Sequence, residues 1–176
     1  MTSIFAGFIF IFLDFNLNLD NSTIELIPDF IGYLIMLGGL RVMAGESPAF
    51  AKVRPHSVFM AFYTGIVWLL EVFGVTVSLG ALSFLLGIAS LVISLYISYT
   101  IIIGVRDMES RYGTHLNSDS LKTAWNLLTV STILAYLLLL LVPVLSVLCI
   151  IVSLIAAIWF LAAFYRSKTL YCNMRI

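Results

Sequence analysis

The stretch ALSFLLGIASLVISLYISYTIIIG, residues 81–104, runs for 24 positions without one charged side chain. A helix needs roughly 20 apolar residues to cross about 30 Å of bilayer hydrocarbon, and this run exceeds that length. A soluble helix of similar length would turn a charged face to water, and here serines are the most polar side chains available. The rest of the chain has the same character. Of 176 residues 62% are hydrophobic and 10% charged, with a mean hydropathy of +1.12, whereas soluble domains run near one half and one quarter. A domain of this size has too much surface to hide so many apolar side chains from water, so the composition implies an integral membrane protein.

Measured against the same length, six apolar segments emerge, near 3–19, 24–44, 57–78, 81–104, 123–142 and 144–165. The expected fold is therefore all-α: one transmembrane domain over 1–176, a polytopic bundle of about six helices arranged as three hairpins. The first span is the shortest, because Asp14, Asn16 and Asn18 interrupt it, so either it is short or Asp14 lies within the membrane. No positive residue precedes its apolar run and no small-x-small site follows, so a cleaved signal peptide is not expected.

Charge orients the spans. With both termini on one side, that side receives Arg41, Lys52, Arg54, Arg106, Arg111, Lys122, Arg166, Lys168 and Arg175, which is every Lys and Arg in the chain. The positive-inside rule then places both termini in the cytoplasm. The net charge of zero conceals a dipole, with the inner side at +5 and the outer side at −5. The expected location is a bacterial plasma membrane.

Two stripes of small residues predict close helix packing. Ser83, Gly87, Ser90, Ser94 and Ser98 recur at spacings of three and four on the fourth span. Gly32, Met36 and Gly39 make a weaker seam on the second. Pro143 predicts a tight reversal between the fifth and sixth spans.

The outer acidic residues carry the functional expectation. Asp14, Asn16, Asn18, Asp20, Ser22 and Glu25 fall at places 1, 3, 5, 7, 9 and 12 of an EF-hand loop, although place 6 has Leu19 where glycine is required. Asp14, Asp20 and Glu25 are thus candidate metal ligands, with calcium or another cation as the implied ion. A competing expectation is a capping box, in which Ser22 accepts from a backbone N–H and Glu25 reaches back to open the second span. Pro28 and Asp29 also suit a first helical turn.

Glu71, in TGIVWLLEVFGV (64–75), sits about 14 residues into the third span as counted from 57, hence about 21 Å up at 1.5 Å per residue. A carboxylate at such depth costs on the order of 3 kcal/mol and usually faces the bundle interior. Thr64, Trp68 and Glu71 share a helical face, which would form an interior polar stripe, and no cationic side chain is expected at that depth. The alternatives are a protonated Glu71 in a helix contact, or a carboxylate that binds a proton, a metal ion or a cationic ligand.

Other chemistry is absent from the pattern. Cys149 and Cys172 are too widely separated along one helix and its tail to be expected as a disulfide. His56 and His115 lie in different inner loops. There is no His-Glu-x-x-His, no glycine-rich phosphate loop and no catalytic Ser-His arrangement, so an enzyme is not the leading expectation. The inner loop RDMESRYGTHLNSDSLKTAW (106–125) predicts a helix end at Gly113 and a restart capped by Ser118 or Ser120.

The segment LIPDFIGYLIMLGGL (26–40), with Asp14 ahead of it, resembles a motif in small uncharacterised multi-pass membrane proteins of Gram-positive bacteria. That resemblance covers residues 10–42 and implies a bacterial plasma membrane and attention to Asp14, Pro28, Asp29, Gly32 and Tyr33. A looser similarity, in size and number of spans, is to the substrate-binding membrane subunits of energy-coupling-factor vitamin transporters. The leading functional expectation is a cation or a cationic solute bound or transported through an outer acidic vestibule lined by Asp14, Asp29, Glu71 and Tyr33. The alternative is a non-catalytic accessory or scaffold subunit that docks a membrane or cytoplasmic partner. A homo-oligomer fits either. No nucleic acid is expected.

Overall fold

The computed structural model describes residues 1–12, 16–19, 22–25, 28–73 and 81–174. Among them are six helices: α1 Thr2–Phe12, α2 Asp29–Met43, α3 Pro48–Val72, α4 Ala81–Tyr112, α5 Ser118–Leu141 and α6 Pro143–Met174. Between α1 and α2 lies a hairpin of β1 Asn16–Leu19 and β2 Ser22–Glu25, paired antiparallel with Asn16 opposite Glu25. The architecture is all-α apart from this hairpin. By length and composition three helices can cross a membrane, namely α4 from Phe84, α5 and α6. α1 is apolar but only 11 residues long. The chain forms two compact units, Met1–Ile101 and Ile102–Ile176, whose boundary falls inside α4.

In the first unit α1 lies against α2 at glycine contacts. A Cβ added at Gly7 would come within 2.7 Å of the Gly32 carbonyl oxygen, and one at Gly39 within 2.8 Å of the Ile4 backbone nitrogen. The stripe of Gly32, Met36 and Gly39 is therefore a real seam, and its partner is the face of α1 that carries Ile4, Gly7 and Ile11. Such backbone approach suits a lipid environment, where dispersion contacts and not water exclusion hold helices together. Ile4, Phe8, Met36, Leu40 and Met43 fill in around it.

Ser47 and Pro48 explain where α3 begins. The Ser47 hydroxyl accepts from the Ala49 N–H at 3.1 Å, and Pro48, which has no N–H to lose, takes the first helical position. α3 then continues through Pro55 for 25 residues. This corrects the expected start near 57: Pro55 and the nearby Lys52, Arg54 and His56 suggest a loop in sequence, but one proline removes only one rung of the ladder. The Ser57 hydroxyl donates back to the Val53 carbonyl at 3.3 Å, so it needs no outside partner there.

The stripe on α4 is less continuous than its spacing suggests. Ser98 is buried and donates to the carbonyls of Ser94 and Leu95. Gly87, by contrast, has nothing within 4 Å of where a Cβ would stand. The close seam expected along the whole stripe is thus absent at Gly87.

In the second unit α5 and α6 form the tight hairpin that Pro143 predicts. α5 ends at Leu141 and α6 starts at Pro143, while the Val142 N–H reaches the Leu138 carbonyl at 2.7 Å. Leu121, Ala124, Leu128, Ser131 and Ala135 recur at three- and four-residue intervals and are buried, as are Ala156, Ala157, Phe160, Ala163 and Phe164 on α6. Long apolar side chains such as Leu137, Leu140, Leu148, Ile151 and Ile155 point outward. Serines and alanines buried among a few large side chains, with many large apolar ones outside, depart from the soluble pattern and fit a surface solvated by lipid. The Ser131 and Ser167 hydroxyls donate to carbonyls four residues back, which satisfies them within their own helices.

Candidate functional site

Asp29 and Glu71 occupy positions at one end of the α2–α3 pair, while Glu46 lies in the turn at the other. Asp29 is the first residue of α2, where its carboxylate meets the positive end of the helix dipole. Phe30 beside it packs on α3: its ring lies 5.9 Å from that of Trp68, and a Cβ on Gly65 would touch it at 3.7 Å. Glu71 follows Trp68 by three residues, about 4.5 Å further along the axis, and is the penultimate residue of α3. β2, which carries Glu25, runs beside α3. Three of the candidate carboxylates thus belong to elements that converge. Arg41, Lys52 and Arg54 are placed toward the opposite end, near the α2–α3 turn.

Several expectations change with this geometry. Glu71 stands at the end of its helix and not part-way along it, because α3 begins earlier and stops earlier than its apolar run suggests. Thr64 donates its hydroxyl to the Met60 carbonyl at 2.8 Å, so it does not extend a polar stripe toward Glu71. The capping box is not formed: Ser22–Glu25 is a strand, and the cap of α2 is Pro28 at φ −68° and ψ 137°, with no side-chain hydrogen bond. The Ser22–Glu25 segment alternates polar and apolar and pairs in register with Asn16–Leu19, which competes successfully with the helical signal.

Tyr33 lies one turn after Asp29 on the same face of α2. It is 2% exposed, and its hydroxyl is hydrogen-bonded to Ser94 of α4. Tyr33 thus ties two helices of the first unit beneath the acidic end.

Asp14 and Asp20 lie outside the described residues. Of the calcium-loop positions, Asn16 and Asn18 fall on β1 and Ser22 and Glu25 on β2. Among the described residues no group of three or more His, Cys, Asp or Glu side chains is placed to hold a metal ion. Cys149 and Cys172 are both free thiols.

Two polar arrangements had no signal in the sequence. The His56 ring packs against Tyr96 with centroids 4.8 Å apart, and its Nδ1 is buried without a hydrogen-bond partner among the described residues. In the second unit Glu109 accepts hydrogen bonds from the Leu116 and Ser118 N–H groups and from the Ser118 hydroxyl. Gly113 ends α4 with φ +62°, as the sequence predicts, and Asn117 also takes a left-handed conformation at φ +67°. The expected Ser118 cap is replaced: Ser118 is itself the first helical residue, and Glu109 reaches across the elbow to cap α5. A carboxylate seven to nine residues upstream of its donors matches no local capping spacing, so sequence alone could not reveal it.

Comparison with known proteins adds no relative: no family model matches the chain, and neither the curated proteins nor the solved structures contain a significant match.

Proposed function

We propose that this chain is a multi-pass protein of a bacterial plasma membrane, with six spans, both termini cytoplasmic, and an outer acidic vestibule that binds a cation or cationic solute. The observation that carries the proposal is the form of the first unit at its acidic end. α1 and α2, with 11 and 15 residues, are about 16 and 22 Å long, short of a ~30 Å hydrocarbon layer, and a β-hairpin of mixed polar and apolar residues lies between them. A two-stranded hairpin has unpaired backbone groups on its outer edges, which lipid cannot satisfy. Non-helical backbone at membrane depth is tolerated where it is covered by protein or lines water. A hydrated recess beside Glu25, Asp29 and Glu71 meets that requirement, and clustered negative charge there would concentrate cations.

The chemistry available at such a site is coordination and electrostatic attraction by carboxylate oxygens. The described side chains suggest no covalent or redox step. The test is calorimetry on the chain in phosphatidylcholine nanodiscs, with calcium, magnesium, sodium and choline as probes. Binding of one of them, weakened at least tenfold in an Asp29→Asn, Glu71→Gln double variant, supports the vestibule. If none binds, or if the variant binds as well as the parent, the carboxylates have only structural roles. Co-purification of a second membrane protein in place of any small ligand would then favour an accessory subunit.

A further inference from the structure

We infer that the elbow end of the second unit binds the phosphate headgroups of anionic glycerophospholipids. The inference rests on the membrane-spanning reading but not on the acidic vestibule.

Along this unit the exposed residues change character in order. Ile133, Leu137, Ile151 and Ile155 form an exposed apolar band. The half-buried Trp125 and the exposed Trp159 follow toward the elbow, and tryptophan favours the boundary between hydrocarbon and headgroups. Beyond or beside them come Arg106, Lys122 and Arg166, all exposed, then Arg111 and Lys168.

Contacts within the elbow fix their relative depth. Glu109 holds the start of α5, the Asn117 side-chain amide donates to the Ala163 carbonyl at 3.3 Å, and the Thr114 hydroxyl lies 3.4 Å from the Met174 sulfur. Arg106 and Lys122 therefore lie about one turn to the apolar side of the elbow, and Arg166 lies level with it, about one turn past Ala163 and short of Met174. At 1.5 Å per residue this is a band less than about 10 Å deep. The headgroup region adds roughly 5–8 Å per leaflet, and long basic side chains snorkel several ångströms to reach it.

The acids of this end do not cancel the band. It carries five basic residues against three acidic ones, Asp107, Glu109 and Asp119. Both carboxylate oxygens of Glu109 are engaged by the Leu116 and Ser118 donors. Tyr165 and Tyr112 place aromatic faces 4.8 Å from the Lys168 ammonium and 6.0 Å from the Arg111 guanidinium, an arrangement suited to holding cationic heads at an interface. A band of cations set just beyond a lipid-facing apolar surface matches the geometry of an anionic leaflet.

The test uses the full chain in nanodiscs of phosphatidylcholine containing a minority of phosphatidylglycerol, followed by native mass spectrometry of the retained lipids. The expected result is several-fold enrichment of phosphatidylglycerol over its share of the bilayer. That enrichment should decline as salt is raised and return to the bulk share in an Arg106→Gln, Lys122→Gln, Arg166→Gln variant. An Arg106→Lys, Lys122→Arg, Arg166→Lys variant should retain it. Retained lipids that mirror the bilayer, or enrichment indifferent both to salt and to charge removal, would overturn the inference. So would inorganic phosphate held in pure phosphatidylcholine discs and able to displace phosphatidylglycerol, which would mark a free-phosphate site. Cation binding at Asp29 and Glu71 can fail while lipid enrichment persists, so the two proposals are tested separately.

Discussion

At the scale of single residues, the glycines of the first unit divide into two kinds that look alike in sequence. Gly32 and Gly39 face the α1 backbone at 2.9 Å and 2.8 Å from an added Cβ, whereas Gly38 has open space around it. Backbone atoms cannot move aside cheaply, so Gly32→Ala or Gly39→Ala should cost about 1–3 kcal/mol through overpacking. Gly38→Ala should be neutral or stabilising by up to about 1 kcal/mol, because alanine is the better helix former. Thermal unfolding of the three variants in one detergent checks this ordering, and equal melting temperatures for Gly38→Ala and Gly39→Ala would contradict it. Tyr33 offers a second test. Tyr33→Phe removes the bond to Ser94 and leaves the ring in place, so the loss should be about 0.6–1.5 kcal/mol, the range of a helix–helix hydrogen bond.

At the scale of elements, what could be read in the sequence depended on the range of the forces involved. Apolar length reveals a helix directly, so all six helices correspond to expected segments. Pro143 and Gly113 mark chain reversals through their own backbone constraints, and both occur where expected. The stripe of Gly32, Met36 and Gly39 was legible as a seam because small residues three and four apart share a face. Its partner, Gly7 on α1, was not, since pairing is a tertiary fact. The boundaries of α3 and the Ser22–Glu25 strand were misjudged for one reason. Local signals, a proline in one case and a capping pattern in the other, were overridden by packing and pairing with a neighbouring element. The cap by Glu109 was hidden in the same way. Glu109→Ala should free the first N–H groups of α5 and cost about 1–3 kcal/mol, as expected for a hydrogen-bonded charged group. Hydrogen exchange should then rise at residues 116–121 while the α5–α6 turn at 142–146 stays protected.

At the scale of the whole molecule, membrane residence follows from composition, and the many large apolar side chains exposed on α5 and α6 agree with it. Function was less legible. The acidic residues were visible, but not that Glu71 ends its helix or that a hairpin stands between two short helices. Those two facts move Glu71 from part-way along its helix to the end of α3, the position on which the proposed vestibule rests. The measurement that tests this most directly is labelling of single cysteines by a membrane-impermeant thiol reagent in intact cells, in a Cys149→Ser, Cys172→Ser background. Glu25→Cys and Glu71→Cys should be labelled from outside, while His115→Cys, at the elbow, should react only after the membrane is opened. Protection of Glu25→Cys and Glu71→Cys from outside reagent, or labelling of His115→Cys in intact cells, would contradict an outer, hydrated acidic vestibule.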